Sequence, residues 1–258
     1  MTAQAKLTIE EYQQITPVTT IRLNGAPLRF VTPNMRTAWR ARTIASKEPT
    51  TIEWLDEIQP GEALLDIGAN MGVYTIYAAQ LRAAHVDAME PEGQNFALLC
   101  RNILINRLTA RATAWPLALS DATRFDRLYL SDGDAGGSCH SFGESVNFKL
   151  QPHVFPLTQG AVATTIDSLV ESGAIRMPNH IKIDVDGLEH KVIAGGQRTL
   201  ARAELRSLIV ETNPGLPEHR EMTTRLQELG FRLDQTQIAR ATRADGPFQG
   251  VAEHVFRR

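Results

Sequence analysis

The most constraining stretch of this chain is Leu64-Leu65-Asp66-Ile67-Gly68-Ala69-Asn70-Met71-Gly72. An apolar run of strand length closes on an acid, and a glycine-bearing turn then opens a helical pattern. In an α/β sheet such a turn lies at the carboxyl edge of its strand, where glycine lets the backbone approach a ligand closely. Gly68 and Gly72 are therefore expected at a cofactor, with Asn70 between them. A dinucleotide turn of the form GxGxxG is disfavoured, because Asn70 and Val73 stand at its second and third glycine positions. A Walker loop, GxxxxGK followed by Ser or Thr, is absent. Asp66 would repel a pyrophosphate, whereas a ligand bearing an ammonium and a sulfonium would be attracted.

Around this turn the chain alternates. Apolar runs of strand length occupy residues 63–67, 86–89, 112–117, 181–185 and 208–210, and helical patterns fill 72–82, 92–106, 189–200 and 217–229. That order predicts an α/β fold with a mostly parallel sheet and helices on both faces. Residues 232–237 and 251–256 offer two more strands, read as an antiparallel edge. Upstream, alternating segments at 19–23 and 27–31 flank Asn24-Gly25, a hairpin signal. Helical patterns at 34–47 and 51–58 then end at Gln59-Pro60-Gly61. The expected organisation is a hairpin and helical cap over residues 1–60 and a catalytic domain over 61–258. Residues 131–160 show no clear period and read as a long functional or irregular loop.

Two further acids fall at strand ends. Glu90 lies 22 residues after Gly68, at the end of the second strand of the alternating part, where a carboxylate accepts both hydroxyls of a ribose. Ser120 and Asp121 follow the third strand, where they would read an adenine amino group. A strand-end acid is as often a helix cap or a surface charge, but three successive strand edges together point to a nucleoside site.

Composition removes other classes. A net charge of −2 gives no global positive field, so no nucleic acid partner is expected. Cys100 and Cys139 cannot build a disulfide framework or a zinc site, and residues 1–15 lack the apolar centre of a signal peptide. No apolar run of membrane-spanning length occurs, and a cytoplasmic protein is expected.

The sequence resembles the FkbM family of S-adenosylmethionine-dependent methyltransferases. The likeness lies in Lys47-Glu48-Pro49, the Asp66 to Gly72 turn, Glu90-Pro91, Asn95, Asn102, the block Ile181-Lys182-Ile183-Asp184-Val185-Asp186-Gly187-Leu188-Glu189, and Ile209-Val210-Glu211. It implies a seven-stranded class I methyltransferase (Rossmann-like) fold, S-adenosylmethionine as methyl donor, and transfer usually to a hydroxyl oxygen. It further implies that Glu48 closes over the methionine end of the cofactor and that Asn95 belongs to the cofactor site. The family usually has Glu where this chain has Asp186, one methylene shorter.

Methyl transfer needs in-line positioning and often a base. Asp184 and Glu189 are the candidates for placing the acceptor or removing its proton, with Glu189 alternatively capping the helix that begins there. Asp184, Asp186, Glu211 and Asn213 form an oxygen-rich set that a divalent cation could use, but no metal site is assigned. The Gly136-Gly137-Ser138 stretch is expected over the acceptor, where its motion would gate access. The expected acceptor is a small metabolite or a glycan; a homodimer is compatible. The alternatives are a nicotinamide-dependent oxidoreductase and a non-catalytic nucleoside-binding assembly protein.

Overall fold

Ala63–Ile67 is buried at every position, and an apolar strand without alternation needs cover on both faces. The computed structural model describes residues 7–258, so the reading of residues 1–15 lies partly outside the described residues. Helix α1 (Ile9–Gln14) leads into a hairpin of β1 (Val18–Leu23) and β2 (Ala26–Val31), turned at Asn24 and Gly25 with φ of 50° and 79°. Short helices α2 (Met35–Arg42), α3 (Ile44–Lys47) and α4 (Pro49–Leu55) follow. The alternating part then runs β3 (Ala63–Ile67), α5 (Val73–Leu81), β4 (His85–Met89), α6 (Gly93–Ile105) and β5 (Ala112–Trp115).

Next come β6 (Ala118–Leu119), β7 (Arg124–Leu130), β8 (Ser141–Phe142) and β9 (Leu157–Thr164), which build a second sheet of their own. The main sheet resumes through α7 (Ile166–Glu171), β10 (His180–Ile183), α8 (Glu189–Ala194), α9 (Gln197–Leu200) and β11 (Ser207–Thr212). It ends with α10 (Pro217–Glu228), β12 (Arg232–Leu233), α11 (Gln235–Ala241) and β13 (Ala252–Arg257).

The main sheet has seven strands in the order β12-β13-β11-β10-β3-β4-β5. β3, β4, β5, β10 and β11 are mutually parallel, and β13 runs against both β11 and β12. Two apolar layers cover it. Leu64, Val86 and Ile209 face a core shared with Leu28, Phe30 and Trp54 of the first 60 residues, while Leu65, Ile181 and Val210 face α7 to α10. This is the expected seven-stranded, mostly parallel architecture. Among the described residues no helix is long and apolar enough to cross a membrane.

Several boundaries differ from the sequence reading, each for a local reason. The third strand of the alternating part stops at Trp115 because Pro116 cannot donate to the ladder, and Ala118–Leu119 pairs instead with β9 in the second sheet. The helix expected over 189–200 breaks at Gly195-Gly196, where a Cβ on Gly195 would lie 2.1 Å from the Ser120 carbonyl oxygen. The strand expected at 232–237 ends at Leu233, since the Asp234 side chain accepts from the amides of Thr236 and Gln237 and starts α11. The reversed strand is β13, which lies inside the sheet rather than at its edge. Part of the aperiodic 131–160 stretch is strand: β8 and the start of β9 pair with β7, itself unanticipated.

Candidate active site

A cavity of about 420 Å³ opens at the carboxyl ends of the parallel strands, within the range of small-molecule sites. Its floor is polar: Gly68 and Asn70 follow β3, Glu90 follows β4, Asp184 and Asp186 follow β10, and Glu211 ends β11. Apolar side chains from Ile67, Met89, Leu119 and Leu188 complete the wall.

The turn after β3 is closed on itself. The amides of Gly68 and Ala69 donate to the Met89 carbonyl, both at 3.0 Å, and that of Met71 donates to Asn70 Oδ1 at 2.9 Å. Asn70 N donates to Glu90 Oε2 at 2.7 Å, and Gly72 N to the Ala69 carbonyl at 2.8 Å. No amide of the turn is left to cradle a phosphate, which separates this site from a dinucleotide site. Gly68 is required by its neighbour strand as well as by its φ of 74°: an added Cβ would lie 1.9 Å from the Asp184 carbonyl oxygen. Gly72 has φ of 84° and no room beside Leu99, so its role is to start α5 against α6 rather than to touch a ligand.

The two acids after β3 and β4 have different fates. Asp66 sits opposite Lys182 in the register of the parallel strands β3 and β10. It is fully buried, accepts from Thr75 Oγ1 at 2.5 Å, and has Lys182 Nζ at 3.5 Å. Asp66 therefore does not face the cavity as the sequence reading expected; a buried ammonium in the next strand claims it. Glu90 does face the cavity. Each of its oxygens accepts one amide, from Asn70 and from Glu92 (2.8 Å), leaving lone pairs for a ligand's hydroxyls. Burial pushes its carboxyl up to about 7 against those two amides, with the charges of Glu92 and Asp186 adding to the rise.

Asp184, Asp186 and Glu211 offer oxygens within 4.8 Å of one another. Burial would raise Asp184, but the cations Lys182, Lys47, Arg243 and Arg40 hold it below the usual carboxylate range. Asp186 is pushed up to about 7 by burial and by Asp184, although the Cys139 amide donates to its Oδ2 at 2.7 Å. Its φ of 57° is a left-handed conformation that Asp tolerates better than most residues. Glu211 is raised by burial and by the Asp184 charge despite Arg243 Nη1 at 2.8 Å. Asn213, the fourth expected oxygen ligand, accepts from the Gly215 amide on its Oδ1 at 3.0 Å.

Glu189 is fully buried and turned under the floor rather than into the cavity. It accepts from the amides of Val185 at 2.9 Å and Gly187 at 3.0 Å, and His219 Nε2 stands 3.4 Å away. His219 also bridges the Gly187 carbonyl and the Asn213 amide, tying the loops after β10 and β11 together. Glu189 thus positions Asp184 and Asp186.

The remaining expected residues divide similarly. Ser120 lines the cavity and donates to Asp121 Oδ1, whereas Asp121 is held by Arg124 Nη1 at 2.9 Å outside it. Glu48 lies beneath the rim, accepting from Tyr74 OH at 2.6 Å and pairing with Lys47, which does reach the cavity. Asn95 is a strut: its Oδ1 accepts from Gly136 N at 2.7 Å and its Nδ2 donates to the Gly137 carbonyl at 3.1 Å. Asn70 Nδ2 donates to the same carbonyl at 2.6 Å, and Arg40 Nε to that of Gly136 at 2.8 Å. The stretch expected to gate the acceptor is thus held by hydrogen bonds to three side chains, Arg40, Asn70 and Asn95.

The sequence reading missed Lys182 as a partner, together with Trp39, Arg40, Arg243 and Phe248 at the rim. Lys182 carried a signal, a charged residue inside an apolar strand that must find a counter-charge when buried. Arg243, which joins Glu211, Glu253 and Glu48, follows α11 in an irregular segment and carried none.

Over 221 residues, 84% of this chain and 83% of the relative, the sequence is 27% identical to the hexuronic acid methyltransferase AglP of Haloferax volcanii. Among solved structures it is similar to the precorrin-6y C5,15-methyltransferase of Geobacter metallireducens, at 12% identity over 81% of this chain and 86% of that one, with a TM-score of 0.45. It is also similar to TYW2 of P. horikoshii in complex with MeSAdo, at 14% identity over 93% of this chain and 69% of that one, with a TM-score of 0.43. The methyltransferase FkbM domain model matches residues 66–233, well over half of the chain. With that match joined to the seven-stranded sheet and its strand-end site, the chain belongs to the FkbM family of methyltransferases.

Proposed function

We propose that this chain transfers the methyl group of S-adenosylmethionine to a hydroxyl oxygen of a saccharide. The observation that carries the reading is the acidic floor below a turn whose amides are all internally bonded, a site for a cationic nucleoside and not for a pyrophosphate. The group fits the residues present. Glu90 has lone pairs free for ribose hydroxyls, Leu119 and Ser120 flank the space for a flat base, and ionised Asp184 attracts an ammonium or sulfonium. The hexuronic acid substrate in the name of the relative favours a saccharide over other hydroxyl compounds.

When bound, S-adenosylmethionine supplies an electrophilic methyl on sulfur. The protein's part is placement and proton removal. Asp184, held ionised by Lys182, is a weak base and a strong electrostatic anchor. Asp186, poised at about 7, accepts the hydroxyl proton on its carboxylate as the acceptor oxygen attacks. Glu189 and His219 fix the loop that carries both acids. Lys182 stands 3.7 Å from Asp184 and Arg243 2.8 Å from Glu211, so two of the three carboxylates already face a cation and no metal step is assigned; activity that survives a chelator supports this, and loss restored by Mg²⁺ overturns it.

The test is thermal unfolding with S-adenosylhomocysteine against NAD at matched concentration. At 100 times its dissociation constant a ligand adds about 2.7 kcal/mol. A rise in Tm with the homocysteine nucleoside alone supports the reading, a rise with NAD alone overturns it, and binding without turnover on any saccharide returns the non-catalytic alternative.

A further inference from the structure

We infer that Trp39 and Arg40, neighbours on α2 at the rim of the cavity, select an acceptor sugar that carries a carboxylate, Arg40 holding the carboxylate and Trp39 the C–H face of the ring. The inference rests on the saccharide reading and specifies its acceptor.

Trp39 is a large aromatic side chain left 49% exposed, and it lines the cavity instead of joining the core. Arg40 lines the same space. Other rim cations are committed: Lys47 pairs with Glu48, and Arg243 with Glu211 and Glu253. Arg40 spends only its Nε, on the Gly136 carbonyl, and among the described residues it forms no ion pair with a carboxylate. A guanidinium fixed through Nε presents its terminal nitrogens as a fork that suits a carboxylate.

The platform beneath the pair is rigid. Asn34 caps α2 through a capping box with Thr37 and donates Nδ2 to the Ala135 carbonyl at 2.9 Å. One helical turn before Arg40, Arg36 binds both oxygens of Asp132, at 2.9 and 2.8 Å. The cavity is thus polarised, with acids at the strand ends below and, above, a cation that among the described residues has no ion pair, beside an indole. A cationic donor seats on the floor, and an anionic acceptor meets its counter-charge at the rim. The indole offers the apolar surface that a sugar ring's C–H groups cover.

Two carboxylates have the chemistry for Arg40, that of an acidic sugar and that of the cofactor's methionine end. The experiment separates them. Arg40→Ala, Arg40→Lys and Trp39→Ala are compared with the unsubstituted protein for S-adenosylhomocysteine affinity by calorimetry, and for kcat/KM on a panel of hexuronic acid glycosides and their neutral hexose counterparts. The unsubstituted protein is expected to prefer the acidic sugars. Arg40→Ala should lower kcat/KM on them by about 10- to 100-fold, the usual size for a lost hydrogen-bonded charge contact. Because Arg40 also ties the Gly136 carbonyl and helps hold Asp184 ionised, the neutral-sugar rate and the nucleoside affinity should fall as well, but each by at least about threefold less than the acidic-sugar rate, so the readout is the lost preference for acidic sugars. Arg40→Lys should keep part of the preference, and Trp39→Ala should raise KM for both sugars alike.

Equal losses on acidic and neutral sugars would overturn the assignment, because Arg40 would then act through Asp184 or the 131–140 loop. A parallel loss of nucleoside affinity would overturn it by giving the carboxylate to the cofactor. A preference for neutral sugars defeats the inference alone. Absence of turnover on every sugar, with nucleoside binding intact, defeats the saccharide reading and the inference with it.

Discussion

The floor of the cavity stands on the ends of parallel strands, and the rim stands on α2, the 131–140 loop and the segment after α11. At the strand ends the acids have fixed partners: buried Asp66, off the cavity, with Lys182, buried Glu90 with two amides, and half-buried Asp186 with the Cys139 amide. At the rim, cations and aromatic side chains are half-exposed, and Arg40 is only partly committed. On the proposed function, the difference teaches that donor binding is anchored in the main sheet, where fixed partners set the geometry, while acceptor choice lies in segments the sheet does not determine.

The strongest way to break this contrast is to remove a floor partner. Lys182→Met leaves Asp66 and Asp184 without their ammonium and should cost about 3–5 kcal/mol of stability, read by urea unfolding. A loss below about 1 kcal/mol would show that the pair is not the anchor described, since an exposed ion pair contributes that little. Next in size is Glu90→Ala, which should weaken S-adenosylhomocysteine binding by about 1–3 kcal/mol; unchanged affinity places the ribose elsewhere.

A pH series sharpens the same point. Glu90 titrates at about 7 in the free protein, and ribose hydroxyls donating to it favour the charged form, lowering that value on binding. Protons are therefore released on binding, affinity rises with pH, and the drop from pH 8 to pH 6 should reach at most about tenfold. Flat affinity across that window would detach Glu90 from the ligand. The smallest effect is expected from Asn95→Ala, about 1 kcal/mol of stability, with faster hydrogen exchange at the Gly136 amide. If that amide remains protected, the loop is held by its other ties.

The floor was legible because its residues recur at strand ends in a chain whose apolar runs alternate with helical patterns. What periodicity could not tell was which strand-end acid faces the ligand. β3 is buried on both faces, so the direction of Asp66 depends on Lys182, which is 116 residues away in sequence and opposite it only after folding. Glu189 was ambiguous for a related reason, its partners being amides of its own loop and His219 on α10. The 131–160 stretch hid β8 and the start of β9 because both pair with β7, which precedes it, across an interval rich in turn residues, and their runs within it are too short to show alternation. Arg40 and Trp39 sit in a helix whose pattern was visible, but nothing in that pattern says that its surface meets a cavity.

The second sheet starts and ends at one point. Ala118–Leu119 pairs in parallel with Ala163–Thr164, and the Ser120 amide donates to the Thr164 carbonyl at 3.0 Å. The excursion between them thus leaves and rejoins the main fold at adjacent residues, so its length is nearly decoupled from the register of the main sheet. Such a graft point lets the segment supplying Gly137, Ser138 and His140 to the cavity be lengthened, trimmed or exchanged without re-registering any main-sheet strand, which on the proposed function would retune what is methylated while the methyl source stays the same.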